Sequence, residues 1–227
     1  MKTFAFIFAR GGSKGLPGKN ILDLNGKTLL GHAIDLALSI DEISEVYVST
    51  DDKEIAKVAQ LHDAKVIIRP DILASDNSPE LESWKHAINH LKDEKKYFDK
   101  FVSLPTTSPL RSKEDVISCL EMLDDSSDLI VAVTESQRSP FFNIVKIDEK
   151  GLLKVFSEDN SYARRQDVPK SYDLTTVSYV STPDFILSAS KILEGRVKAV
   201  IVPQERAVDI DTEMDFMLAK LLINKNK

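Results

Sequence analysis

Over the first 134 residues, short apolar runs alternate with stretches of helical spacing, and that rhythm restricts the chain to few folds. The runs Thr3–Phe8, 45–49, 66–68, 101–104 and 129–133 are read as strands. Such continuous apolar runs suit strands covered on both faces. Between them, Leu29–Leu38, Lys53–Leu61, 80–91 and 113–123 repeat apolar residues at three and four, as a helix buried on one side requires. Strand–helix alternation of this kind predicts an α/β fold with a doubly wound, mostly parallel sheet.

The rhythm breaks after Ser139. Residues 142–147 and 152–156, separated by the turn 148–151, predict a hairpin, and a polar stretch follows to 171. Alternation is expected to resume with strands at 177–180 and 197–202, a helix at 184–193 and a last helix from Thr212. The chain thus reads as one domain over 1–227, with 139–175 as a small antiparallel, β-rich insertion.

At 227 residues the chain can bury a core without staples, and its single cysteine, Cys119, builds neither a disulfide nor a cysteine metal site. The net charge of −6 argues against a general nucleic-acid binder or membrane-surface protein. The opening apolar run stops at Arg10, too short for a leader or membrane span, so a cytoplasmic protein is expected.

Directly after the first strand comes Ala9-Arg10-Gly11-Gly12-Ser13-Lys14-Gly15-Leu16-Pro17-Gly18-Lys19-Asn20, with four glycines and three fixed cations. Glycines let backbone N–H groups approach an anion, and the crevice beyond the strand ends is where open α/β sheets bind ligands. The loop is not a Walker A motif: Ser13 stands six residues before Lys19, and Asn20 follows it. The dinucleotide pattern of spaced glycines fails as well. A solvated surface turn is the plain alternative.

Near the other end lies Asp209-Ile210-Asp211. In extended backbone, residues two apart point the same way, so both carboxylates can face one ion. Two hard oxygen donors suit Mg²⁺ (or Mn²⁺), which keeps water and phosphate oxygens as its other ligands. The competing reading is that Asp211 or Thr212 caps the last helix. Of the four histidines, His86 and His90 stand one turn apart but lack a third ligand, so both are read as helix-surface residues. Trp84 is read as core.

The basic loop resembles that of the CMP-sialic acid synthetase (acylneuraminate cytidylyltransferase) family, a Rossmann-like nucleotidyltransferase fold. The resemblance extends through Val48-Ser49-Thr50-Asp51, Arg69-Pro70 with Leu73-Ala74-Ser75-Asp76, Thr106 to Arg111, Arg164 to Tyr172 and Val208 to Asp215. It implies that Ala9, Arg10, Gly11, Gly12, Ser13, Lys14, Lys19 and Asn20 wrap the triphosphate of CTP, with Asn20 near ribose and base and Arg69 at the cytosine pocket. It implies a sugar-binding set of Arg165, Gln166, Tyr172 and Thr175, with Arg165 on the sugar's carboxylate, and a metal held by Asp209 and Asp211. Arg10, Lys19 and Asp211 are the implied catalytic residues. A guanidinium fork matches a carboxylate bidentately, which suits Arg165 to that task.

The implied reaction is attack of a 2-keto-3-deoxy sugar acid's anomeric hydroxyl on the α-phosphate of CTP, with pyrophosphate leaving. The chain departs from the family at Pro105, where the sialic acid enzymes usually carry Gln, and at Thr175-Thr176, where Asn with Gly or Ala is usual. Sialic or legionaminic acid is the leading acceptor; Kdo, pseudaminate or a phosphonate are the alternatives. A D-x-D glycosyltransferase and a catalytically silent nucleotide binder are the rival classes. The family commonly forms dimers in which the inserted region reaches the partner, which gives 139–175, with Phe141 and Phe142, that expected role. Covering its own domain is the other role open to the hairpin.

Overall fold

The computed structural model describes residues 1–12, 15–157, 162 and 164–225, with the side chain of Arg165 outside that description. A seven-stranded sheet has the order β3-β2-β1-β4-β8-β5-β9. Its strands are β1 Thr3–Phe8, β2 Ile43–Thr50, β3 Lys65–Ile68, β4 Lys100–Ser103, β5 Leu129–Glu135, β8 Tyr172–Ser181 and β9 Val197–Ile201. All neighbours pair in parallel except β8, which runs antiparallel to both β4 and β5. The class expected from the alternation is the class observed.

Strand β1 shows how the sheet is clothed. Phe4 and Phe6 point to one face and Ala5 and Ile7 to the other, as the two-residue period requires. On the Ala5 side pack α1 Leu29–Leu38, α2 Lys53–Leu61 and α5 Lys113–Met122, through Ile34, Ile55 and Val116 among others. The opposite face takes α4 Glu80–Asp93 and α6 Pro183–Ser188. There Trp84 is buried, its ring centroid 5.2 Å from Phe101 and 5.5 Å from Tyr179. The last helix, α7 Glu213–Lys225, shares a smaller cluster of Leu24, Leu29, Ile210, Phe216 and Ala219. A short α3, Asp71–Ala74, completes the helices. Among the described residues no helix is long and apolar enough to cross a membrane.

Two expectations are corrected. The strand read at 177–180 begins at Tyr172, within the span assigned to the insertion, and runs against its neighbours. Strand β5 ends at Glu135, and Tyr172 pairs with that same residue, while Ser136 donates its N–H to Ser171 O at 2.9 Å. The chain returns to the sheet at the edge it left, with no crossover helix among the described residues to carry it to the other end, so β8 runs back. The helix read at 184–193 stops at Ser188, because the Glu194 carboxylate accepts from the N–H groups of Ser190 (2.6 Å) and Lys191 (3.2 Å). The hairpin forms as β6 Val145–Ile147 and β7 Leu153–Val155, joined by a turn with Gly151 at φ +78°, where a side chain would be strained.

Candidate active site

At the carboxyl edge of β1, Ala9 is buried and donates to Ser49 O at 3.1 Å, and the chain then enters a cleft of about 690 Å³. Arg10 lines that cleft, pairing with Asp76 at 2.9 Å and donating to Ala74 O at 3.2 Å. Gly11 donates to Asp51 Oδ1 at 3.2 Å, and a Cβ there would stand 2.7 Å from Asp52 Oδ2, so the turn admits only glycine without a shift. A Cβ at Gly12 would meet nothing within 4 Å. Ser13 and Lys14 lie outside the described residues. Lys19 reaches Asp211 at 2.9 Å, joining positions 192 residues apart. A Cβ on Gly15 would come to 2.7 Å from Asp211 O, so the two segments touch backbone to backbone.

Asn20 is buried, donating to Arg10 O at 2.9 Å and accepting from Thr106 at 2.6 Å. Its amide braces the basic loop against the β4 exit while it lines the cleft. Arg69 is also buried, with Nη2 on Ser49 O at 2.8 Å and its guanidinium 5.7 Å from the Phe8 ring. Burial pushes that guanidinium below its usual range, against the pull of Asp51 and Glu80. Arg69 walls a 210 Å³ recess that shares Phe8, Arg10, Asp76 and Glu80 with the main cleft.

The carboxylate pair sits as the two-residue period requires. Ile210 is fully buried and donates to Thr107 O at 2.8 Å, while Asp209 and Asp211 on either side line the cleft. The capping reading is borne out: Thr212 Oγ1 accepts from Asp215 N–H at 3.3 Å, and Asp215 Oδ2 accepts from the N–H of Asp211 and of Thr212. Asp209 Oδ1 is buried without a hydrogen-bond partner. An orphaned carboxylate oxygen facing a cleft suits a hard cation, and Mg²⁺ takes few protein ligands. Among the described residues no group of three or more His, Cys, Asp or Glu is placed to hold a metal, His86 and His90 included.

Of the sugar-binding set, Gln166, Tyr172 and Thr175 do not line this cleft. Thr175 is buried, its hydroxyl donating to Ala132 O at 2.8 Å; successive strand residues face opposite ways, and Thr176 is the one that lines the cleft. Gln166 lines a separate 250 Å³ recess with Glu135 and Lys170. Tyr172 opens β8, is exposed and is absent from the cleft lining. The side chain of Arg165 lies outside the described residues; its backbone forms a short turn, Arg165–Asp167.

Several contributors went unread in the sequence. Thr176 Oγ1 meets Ser108 Oγ at 2.7 Å and accepts from Thr107 at 3.0 Å. Beneath them, buried Arg111 donates to Pro105 O and to Thr176 O, and burial pushes its guanidinium down to about 9 against the pull of Asp209 and Asp115. Arg206 grips buried Asp115 through two 2.9 Å contacts, fixing the segment that leads into Asp209. Glu80 lines the cleft from the first position of α4. Only the signature segment around 106–111 hinted at any of these, since the Arg111–Thr176 and Arg206–Asp115 contacts span 65 and 91 residues.

A doubly wound sheet whose carboxyl edge gathers a glycine-rich cationic loop and two aspartates around one cleft defines a nucleotidyltransferase. The chain belongs to the cytidylyltransferase family, whose model matches residues 4–220. It is 31% identical over 228 residues to the pseudaminic acid cytidylyltransferase of Campylobacter jejuni subsp. jejuni, covering 100% of this chain and 98% of that one. It is 32% identical over 221 residues to the CMP-N,N'-diacetyllegionaminic acid synthase of the same subspecies, covering 96% and 93%. A solved CMP:2-keto-3-deoxy-manno-octonic acid synthetase complexed with CTP shares the fold, with a TM-score of 0.76 at 19% identity over 100% of both chains.

Proposed function

We propose that this cytidylyltransferase transfers CMP from CTP to the anomeric hydroxyl of a 2-keto-3-deoxy sugar acid of the pseudaminic, legionaminic or sialic type, releasing pyrophosphate. The observation that carries the reading is the Lys19–Asp211 contact at 2.9 Å, which brings the phosphate-seeking loop and the carboxylate pair into one cleft. The names of the two Campylobacter relatives support the acceptor class.

In this reading Arg10 and Lys19 exchange their carboxylate partners for phosphate oxygens and stabilise the charge gathering on the departing pyrophosphate. The braced loop and the Thr106–Thr107 floor hold the α-phosphate in line for the incoming hydroxyl. Asp209 and Asp211 would hold a magnesium ion, which when bound supplies Lewis-acid polarisation of phosphate oxygens. A proline at 105 leaves the acceptor side without the amide usual in sialic acid enzymes, so the panel of acceptors must be broad. CTP-dependent pyrophosphate release, measured with pseudaminic, legionaminic, sialic and Kdo acids and a phosphonate, is expected to peak on a nine-carbon acid. Release with none of them would overturn the assignment and favour a silent nucleotide binder.

The hairpin is proposed to pair two copies of the chain. Its Ile147, Leu153 and Phe156 are 70%, 63% and 58% exposed, a run of apolar surface that a monomer rarely leaves open. Sedimentation is expected to return twice the 25.4 kDa chain mass, and a one-chain mass would remove the pairing.

A further inference from the structure

We propose, on the footing of the cytidylyltransferase reading, that Glu80 is the residue that takes the proton from the attacking acceptor hydroxyl. Among the described residues lining the 690 Å³ cleft, the groups able to accept a proton are four carboxylates: Asp76, Glu80, Asp209 and Asp211. Asp76 is paired with Arg10 and Asp211 with Lys19, each at 2.9 Å, so each of these carboxylates already faces a cation. Asp209 belongs to the proposed cation site. Glu80 forms no ion pair with a described residue, although it stands in the same cleft.

Its geometry suits a base. Glu80 is the first residue of α4, and its Oε1 accepts from the indole N–H of Trp84, one turn on, at 3.1 Å. Trp84 is itself held by the aromatic core, so one carboxylate oxygen is fixed and the other is left to the cleft. The residue lines both the main cleft and the adjoining recess walled by Arg69. The charged groups that face it are Arg69, from the chain after β3, and Asp209, from the segment before α7; the Tyr179 hydroxyl of β8 lies near. By surface area Glu80 is exposed, yet protein packs closely enough around it to desolvate the carboxyl. That crowding lifts the carboxyl above its usual range despite the opposing pull of Trp84 and Arg69, toward the basicity a proton acceptor needs.

The step balances. The hydroxyl proton passes to Glu80, the hydroxyl oxygen forms its bond to the α-phosphorus, and the bond from that phosphorus to the bridging oxygen breaks with its electron pair leaving on pyrophosphate. Glu80 then releases the proton to water. Glu80→Gln keeps an oxygen for Trp84 and removes the basicity. It is expected to lower kcat by about a hundredfold or more, leave the KM for CTP within about threefold, and abolish the acid limb of the kcat–pH profile. A kcat within about threefold of the wild type with that limb intact would overturn the proposal. So would a loss of CTP affinity, read by calorimetry, that matches the loss of kcat. Should the Gln variant not fold, Glu80→Asp decides: a displaced acid limb supports the role and an unmoved one sinks it. A wild type inactive with every acceptor would fail the parent reading, whereas an active wild type matched by the Gln variant would fail only Glu80.

Discussion

Asp211→Ala is expected to reduce CTP-dependent pyrophosphate release by on the order of a thousandfold, with the melting temperature almost unchanged. The side chain is 71% exposed and packs against little, so its removal costs the fold almost nothing. Its place in the cleft is what matters. One oxygen meets Lys19 at 2.9 Å, and the carboxylate lines the wall where Asp209 presents its unpartnered oxygen. Removing it takes away half of the proposed cation site and leaves Lys19, only 15% exposed, without its partner. Asp211→Asn separates these effects, since it still accepts from Lys19 while lacking the charge a cation needs. If charge is decisive, the Asn variant falls nearly as far as the Ala variant, and raising magnesium restores little. Near-normal release by Asp211→Ala would rule out its assigned role.

Trp84→Ala is expected to cost about 3–5 kcal/mol of stability, the range for emptying a large buried aromatic site. For a chain of this length that corresponds to a fall of roughly 10 °C in the melting temperature, read by calorimetry or circular dichroism. The ring is 1% exposed and lies 5.2 Å from Phe101, 5.5 Å from Tyr179 and 6.3 Å from Phe8, so its loss opens a void between α4 and the middle of the sheet. Glu80 also loses the N–H that fixes it. Activity at temperatures where the variant is folded should therefore fall as well. Trp84→Phe retains much of the volume and should recover most of the stability. An unchanged melting temperature in the Ala variant would mean that α4 does not pack as described.

The two ends of the site were legible in the chain to different depths. Lys19 could be picked out because four glycines and three cations directly after a strand have few uses, and Asp209 and Asp211 because residues two apart share a side. The same rule works against Thr175: it specifies that Thr175 and Thr176 face opposite ways, and leaves open which of them meets the cleft. The neighbouring strands decide that, and they bury Thr175 against Ala132. Glu80 carried no local mark, since a glutamate at the start of a helix is ordinary and only the approach of Arg69 and Asp209 makes it unusual.

Sequence by itself determined the layers. Apolar runs without alternation demand cover on both faces, helical spacing supplies that cover, and both follow from local geometry that each segment carries within its own ten residues. Tertiary structure alone decided the reversed direction of β8, the grip of Arg206 on Asp115 and the meeting of Lys19 with Asp211. Those contacts join positions 37 to 192 residues apart. Periodicity states which face of an element is buried; it does not name the partner across the gap, because that choice is made by the packing of the whole chain at once.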